Sequence, residues 1–174
     1  GRKIVLATNV AETSLTIEGI ETVIDSGLSK RSIYDPNSGM ARLVTQKISK
    51  SEANQRMGRA GRLHPGICYK LWSKAQDGSF SDFPPSEIEN SDLTPFALEL
   101  ALWGSNINEL ALLTRPKKKA LAEAYKVLEM LGAVNEQLQI TKNGRSLSKI
   151  PLHPRLAKII LAGGKDATLL ASIL

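Results

Sequence analysis

Residues 55–62, with the sequence Gln-Arg-Met-Gly-Arg-Ala-Gly-Arg, constrain this chain more than any other segment. In a helix over 51–59, Gln55 and Arg59 stand four residues apart on one face, and Arg62 follows about one turn later. Guanidinium groups are planar forks of hydrogen-bond donors that match phosphate oxygens. The segment therefore predicts a surface that binds a polyphosphate.

Two glycines, Gly58 and Gly61, interrupt the same segment. A glycine inside a helix costs about 1 kcal/mol relative to alanine, so local helix stability does not explain a pair of them. Without side chains, both positions allow a bulky ligand to approach the backbone closely. The alternative is a solvated basic helix end.

The segment 55–62 resembles motif VI of superfamily 2 helicases, in the form typical of the DEAH-box family. Residues 7–17 (Ala-Thr-Asn-Val-Ala-Glu-Thr-Ser-Leu-Thr-Ile) resemble motif V of that family. The Asp-Ser-Gly sequence at 25–27 fits as well, and residues 65–72 continue the resemblance in the style of bacterial HrpB-type helicases.

The resemblance implies an α/β fold: a RecA-like second helicase domain of the P-loop-NTPase type, with a parallel sheet and a β-hairpin insertion, then a mainly helical winged-helix region. The expected divisions are the RecA-like part at 1–78, a linker at 79–92, the winged helix at 93–152 and the start of a ratchet-like helical bundle at 153–174.

Local patterns point to the same order of elements. Short apolar runs at 3–7 and 22–24 are typical of buried parallel strands. Candidate strands at 28–34 and 40–47 flank the turn sequence Asp-Pro-Asn-Ser-Gly, which predicts a β-hairpin. Another strand is expected at 66–72. Between the hairpin and that strand, the motif helix has a cap at Ser49 or Ser51, assisted by Glu52.

Helical patterns dominate after residue 92. A helix is expected over 93–103, and a second over 116–131 that begins with Pro116 and stops at Gly132. The second has an apolar stripe of period 3.6: Leu121, Ala124, Leu128 and Leu131. The remaining expected elements are a small hairpin at 133–140, a helix over 141–149 and a helical segment from 154 onward.

The sequence contains neither a G-x-x-x-x-G-K-[ST] phosphate loop nor an Asp-Glu-Ala-His sequence. The Gly-Gly-Lys at 163–165 lacks the upstream glycine, and we expect it to be a turn that joins two helices. In the family, the missing motifs lie in a first RecA-like domain. We therefore expect the chain to be a piece of a longer protein that does not hydrolyse ATP by itself.

The resemblance assigns Gln55, Arg59 and Arg62 to the γ-phosphate of ATP and the attacking water, with Arg62 as the arginine finger. Ser14 would couple motif V to the nucleotide. Glu18 stands where the family often has an aspartate that contacts the nucleotide sugar. The implied cofactors are ATP and Mg²⁺, with the Mg²⁺ ligands outside this chain.

Thr8 and Asn9 directly follow the first apolar run, and ligands of α/β domains bind at such strand ends. The resemblance assigns both to the nucleic-acid backbone, where contacts position a strand without reading its sequence. The alternative is a capping loop in which Thr13 or Ser14 starts a short helix. Arg56 is expected to face away from the nucleotide, solvated or ion-paired. The hairpin turn is either a wedge beside the bound strand, as in the family, or an ordinary surface hairpin.

Composition limits the class of protein. With 42% hydrophobic residues the chain can form a core, and its single cysteine excludes an internal disulfide framework. Residues 1–76 contain 12 Lys/Arg against 6 Asp/Glu, which suits a polyanion partner. No segment reaches the roughly 18–20 apolar residues of a membrane span. The two histidines lack partners at ligand spacing, so we expect no metal site.

The sequence thus predicts part of a cytoplasmic, ATP-dependent DEAH-box helicase that acts on single-stranded nucleic acid, in particular RNA. Its expected partner in the same protein is the first RecA-like domain, and the piece itself is expected to be monomeric. The alternative is a non-catalytic nucleic-acid-binding adaptor derived from half of a helicase.

Overall fold

The computed structural model describes residues 3–13, 17–62 and 64–173. The chain forms two compact units. The first unit comprises Gly1–Asp35 and Met40–Ser86, and the second comprises Pro36–Gly39 and Glu87–Leu174. The domain boundaries expected from the sequence stay predictions.

In its described residues, the first unit contains two small sheets and three short helices. Strand β1 (Thr22–Asp25) pairs in parallel with β4 (Ile67–Lys70), and β2 (Leu28–Asp35) pairs antiparallel with β3 (Met40–Lys47). Thr22 lies opposite Ile67, and Leu28 lies opposite Lys47. The strand predicted at 22–24 and the β-hairpin are therefore confirmed. The elements are α1 (Val10–Thr13), β1 (Thr22–Asp25), β2 (Leu28–Asp35), β3 (Met40–Lys47), α2 (Lys50–Met57), β4 (Ile67–Lys70) and α3 (Lys74–Gly78).

The prediction of a strand at 3–7 is wrong, because the structure has no strand there. Residues 3–8 have no regular secondary structure, and the side chains of Ile4 and Leu6 are 87% and 94% exposed. A strand requires a neighbour that takes up its backbone hydrogen bonds, and among the described residues neither sheet includes this segment. The apolar pattern indicates that residues 3–7 tend to be buried, but it does not identify a neighbouring strand with which they would pair.

Helix α2 begins where the sequence predicts and ends earlier. Ser49 is the cap: its Oγ accepts from the Glu52 N–H at 3.3 Å, and the Glu52 carboxylate accepts from the Ser49 N–H at 2.7 Å. The helix ends at Met57, and the N–H of Arg59 donates to the carbonyl of Arg56 at 3.1 Å in a tighter turn. Arg59 therefore lies beyond the helix, because the glycine that follows Met57 favours termination.

Gly66 brings the start of β4 against the turn that follows α2. A Cβ atom at this position would overlap the main-chain carbonyl of Ala60. Ala60 is itself buried, so the backbone there has little freedom to retreat. Gly66 is thus required for the close packing that fixes the end of the arginine-rich segment.

The second unit is helical, as predicted. Its core is formed by the buried faces of α5 (Thr94–Trp103) and α6 (Lys118–Met130) with residues of the later helices. Leu98, Leu128 and Leu147 belong to this core. The predicted stripe of α6 is confirmed, since Ala124 and Leu128 are buried and Leu121 and Leu131 pack against the same core. The elements are α4 (Glu87–Asn90), α5 (Thr94–Trp103), a 3₁₀ turn (Ile107–Glu109), α6 (Lys118–Met130), α7 (Lys142–Leu147) and α8 (Pro154–Ile173).

Three details of this unit differ from the sequence predictions. Helix α6 begins two residues after Pro116, because Lys117 is extended and takes the cap position. The small hairpin is reduced to a single antiparallel bridge between Val134 and Ile140. The Gly-Gly-Lys at 163–165 continues α8 and forms no turn. The two glycines cost about 1 kcal/mol each in a helix, and the strong helix formers around them offset this cost.

Asp92, which precedes α5, holds the start of α8 through His153. The Asp92 Oδ2 lies 3.0 Å from the His153 Nε2, and Thr94 donates to Oδ1 through its hydroxyl at 2.6 Å and its N–H at 2.8 Å. Burial alone would raise the pKa of Asp92, but the hydrogen bonds from His153 and Thr94 outweigh it and lower the pKa to about 2.

We expect this carboxylate to make the second unit sensitive to acid. In the unfolded chain Asp92 takes up its proton near its ordinary pKa of 3.8, whereas in the folded chain it stays ionised down to about 2. Its stabilising contribution is therefore complete above the unfolded pKa and disappears as the pH falls through the folded one. Thermal unfolding of Asp92→Asn should depend less on pH across this window than wild type. The exposed Glu129→Gln should behave like wild type, and an unchanged profile for Asp92→Asn would contradict the assignment.

Candidate functional site

An open hollow of about 350 Å³ in the first unit brings together the three side chains that the sequence predicts to bind phosphate. Gln55 reaches it from α2, and Arg59 and Arg62 reach it from the turn beyond the helix. Its lining residues are Glu12, Asn54, Gln55, Gly58, Arg59 and Arg62.

The two arginines of the hollow differ in their surroundings. Arg59 is half-buried, and its Nε donates to the main-chain carbonyl of Glu12 at 3.0 Å, with Nη2 donating to the same oxygen. Arg62 is exposed. A Cβ atom at Gly61, beside Arg62, would meet no atom within 4 Å. Arg59 is thus held by the backbone of another segment, and Arg62 stands exposed at the end of the turn.

Arg56 points away from the hollow into a buried ion-pair cluster. Its Nε lies 3.0 Å from the Glu12 Oε2 and its Nη1 2.9 Å from the Asp25 Oδ1, and Nη1 also donates to the Leu28 carbonyl at 3.1 Å. Burial lowers the pKa of Arg56, but the hydrogen bonds to the two carboxylates outweigh burial and raise that pKa. Of the two readings of Arg56, solvated or ion-paired, the structure shows the ion pair.

Sequence reasoning missed Glu12 and Asp25. Glu12 lies in motif V, 44 positions before Arg56, and no local pattern reveals their pairing. Asp25 ends β1 and is 4% exposed, and its Oδ1 also accepts from the Gly27 N–H at 3.0 Å. The sequence did offer one signal for Asp25, which is a carboxylate at the end of an apolar strand. A charged group that is buried in that place needs a partner of opposite charge.

A second ion pair supports the start of α2. Arg31 of β2 donates through Nη2 to both carboxylate oxygens of Glu52 at 2.6 Å. Burial raises the pKa of Glu52, but hydrogen bonds from Ser49 and the nearby charge of Arg31 outweigh burial and lower that pKa. Glu52 therefore caps α2 and attaches it to the hairpin, which fixes the direction in which α2 presents Gln55.

The other predicted site residues lie outside the hollow or outside the described part of the chain: Thr8, Asn9, Ser14 and Glu18. Thr8 and Asn9 are exposed, and the Asn9 carbonyl accepts from the Glu12 N–H at 2.9 Å at the start of α1. The short helix α1 begins at Val10 and ends at Thr13. The alternative, in which Thr13 or Ser14 starts a short helix, concerns residues 14–16, which lie outside the described residues. Glu18 is exposed and is not among the residues that line the hollow. Ser14 lies outside the described residues.

Two further properties bear on the kind of protein. Of the helices within the described ranges, none combines the length and the apolar character that crossing a bilayer requires. The described residues also contain no group of three or more His, Cys, Asp or Glu side chains arranged to hold a metal ion.

Comparison with protein families gives two matches along the chain. Residues 1–64 match the helicase conserved C-terminal domain. Residues 124–152 match the helicase associated domain (HA2), winged-helix. The first match covers all the residues that line the hollow, and the second covers the second half of α6 and the whole of α7.

Individual relatives agree with these matches. The chain is 42% identical over 182 residues to the ATP-dependent RNA helicase DEAH11, chloroplastic, of Arabidopsis thaliana, covering 99% of the chain and 10% of that protein. It is 40% identical over 166 residues to the ATP-dependent RNA helicase HrpB of Escherichia coli, covering 95% of the chain and 20% of that protein. The crystal structure of the E. coli DExH-box NTPase HrpB superposes with a TM-score of 0.88 at 37% identity, covering 95% of the chain and 21% of that structure.

These findings define the class as the C-terminal part of a helicase core with its associated winged helix. The chain belongs to the DEAH-box helicase family, and its relatives include the bacterial HrpB type. It spans between 10% and 24% of the length of the first relatives that it matches.

Proposed function

We propose that this chain is a segment of an ATP-dependent RNA helicase and that it supplies one wall of the nucleotide site. The observation that carries the proposal is the hollow in which Gln55, Arg59 and Arg62 meet. Two guanidinium groups and an amide around an open space match the oxygens of a triphosphate. Arg56 does not line the hollow and pairs with Glu12 and Asp25, so the arginines at the hollow are Arg59 and Arg62.

Each residue of the hollow has a separate task in this proposal. Arg62, exposed beside Gly61, contacts the γ-phosphate and stabilises the negative charge that develops during transfer. Arg59, anchored on the Glu12 carbonyl, holds a fixed charge next to it. Gln55 orients the attacking water with its amide group. ATP supplies the phosphoryl group and Mg²⁺ its charge neutralisation, and the Mg²⁺ ligands belong to the first RecA-like domain of the same protein.

The RNA contacts in this proposal lie at the segment before α1. Thr8 and Asn9 are exposed there and offer a hydroxyl, an amide and main-chain groups to the phosphates of single-stranded RNA. From the family resemblance, Ser14 couples motif V to the nucleotide, and Glu18, directly after the motif, contacts the nucleotide sugar. The excess of basic residues in residues 1–76 favours binding of a polyanion. We place the protein in the cytoplasm.

The direct test is ATP hydrolysis by the full-length protein with and without single-stranded RNA, beside the chain alone. We expect RNA-stimulated hydrolysis and unwinding of an RNA duplex by the full-length protein. The chain alone should show no turnover, because the phosphate-loop sequence is absent from it. RNA binding by the full-length protein without any hydrolysis would contradict the proposal and favour a non-catalytic adaptor.

A further inference from the structure

Glu12 contacts two of the three arginines in the segment 55–62, Arg56 and Arg59, and also the segment before α1. Its carboxylate accepts from the Arg56 Nε at 3.0 Å, and its main-chain carbonyl accepts from the Arg59 Nε at 3.0 Å. Its N–H donates to the Asn9 carbonyl at 2.9 Å. A continuous set of contacts therefore leads from Asn9 through Glu12 to Arg59.

We propose that Glu12 is a positioning residue that couples RNA binding at Thr8 and Asn9 to the placement of Arg59 at the nucleotide. This inference rests on the proposed function. It adds a residue to which the family resemblance gave no role. The Glu12 carboxylate anchors the side chain on Arg56, and the Glu12 main-chain carbonyl carries the contact with Arg59.

The ion pair between Arg56 and Glu12 is strong enough to anchor the Glu12 carboxylate. The Arg56 and Glu12 side chains are 15% and 10% exposed, so water screens their attraction much less than at the surface. Arg56 is held in turn by Asp25 at the end of β1 and by the Leu28 carbonyl at the start of β2. Glu12 is therefore attached to the strand ends and does not depend on α1 alone, which has only four residues.

Through the main chain of Glu12, a movement of Asn9 is passed on to Arg59. The Asn9 carbonyl and the Glu12 N–H belong to a single helical turn, so a shift of Asn9 towards a bound phosphate moves the Glu12 carbonyl as well. Arg59 donates two N–H groups to that carbonyl and has to follow it or release it. RNA and nucleotide then affect each other's affinity by the same factor, as linkage requires.

The test uses the full-length protein and an equilibrium readout. The affinity of a fluorescent single-stranded oligouridine is measured by anisotropy with and without a non-hydrolysable ATP analogue. The ratio of the two affinities is the coupling factor, about 5–150-fold between linked sites in general. In Glu12→Gln, which keeps the shape and removes the charge, we expect the factor to fall to within about twofold of one, with RNA affinity in the absence of nucleotide near that of wild type.

Two variants serve as comparisons. Glu21→Gln removes an exposed carboxylate from the same unit and should leave the coupling factor unchanged. Glu12→Asp keeps the charge on a shorter side chain and should restore part of the coupling. A wild-type coupling factor in Glu12→Gln overturns the inference, and so does a loss of RNA affinity as large as the loss of coupling. If Glu12→Gln does not fold, unaltered coupling in Glu12→Asp overturns it.

Failure of the inference is distinguishable from failure of the proposed function. A wild-type protein that shows no RNA-stimulated hydrolysis overturns the proposed function, and this inference with it. An active wild type whose coupling does not depend on Glu12 overturns the inference alone.

Discussion

Replacement of Arg62 by alanine in the full-length protein is expected to lower RNA-stimulated ATP hydrolysis by a factor on the order of 10²–10³. Arg62 lines the hollow and is exposed beside Gly61, so its loss removes charge from the phosphate site without opening the core. The effect should fall on kcat, because the charge on the transferred phosphoryl group develops in the transition state. Steady-state hydrolysis at saturating RNA measures it.

The matched control is Arg115→Ala. Arg115 is an exposed arginine of the second unit that donates to the Asn108 side chain at 2.9 Å, and its removal changes the net charge equally. Arg62→Lys keeps the charge but loses the planar fork, so we expect it to recover only part of the rate. RNA affinity of Arg62→Ala should stay close to wild type. A kcat within about twofold of wild type would show that Arg62 is not the finger, and the same measurement on Arg59→Ala would then decide whether Arg59 is.

The sequence predicts those features of the fold and the site that are determined by residues close together in the chain. The Ser49 cap with Glu52, the hairpin turn and the stripe on α6 are set by residues within a few positions of each other, and all three are confirmed. The meeting of Gln55, Arg59 and Arg62 was also predictable, because one short segment carries all three.

The errors arise where the outcome depends on a distant partner. The segment at 3–7 has the composition of a buried strand but no paired neighbour among the described residues. The pairing of Arg56 with Glu12 joins residues 44 positions apart, and the pairing with Asp25 joins residues 31 positions apart. Neither partner could be identified from periodicity or from local turn chemistry. The ends of α2 were ambiguous for a different reason, since a glycine after Met57 can either continue or stop a helix.

The largest effect on stability is expected from Arg56→Met. The substitution keeps an apolar stem of similar length but leaves the Asp25 carboxylate buried without its cation. The Asp25 side chain is only 3% exposed, and among the described residues its Oδ2 has no hydrogen-bond partner even with Arg56 in place. Removal of one partner from a buried pair costs about 3–5 kcal/mol. Urea unfolding of the chain should therefore show a correspondingly lower free energy of unfolding.

A double-mutant cycle with Asp25→Asn separates the lost ion pair from lost packing. The neutral amide no longer needs a cation, so Arg56→Met should cost less in the Asp25→Asn background than in wild type, with a coupling free energy of about 0.5–3 kcal/mol. Lys50→Met is the comparison, because Lys50 forms an ion pair with Asp82 at the surface, and such pairs contribute only about 0–1 kcal/mol. If the costs of Arg56→Met and Asp25→Asn add without coupling, Arg56 stabilises the unit by its packing alone. The arginine between Gln55 and Arg59 would then be an incidental neighbour of the two carboxylates, with no part in holding motif V against motif VI.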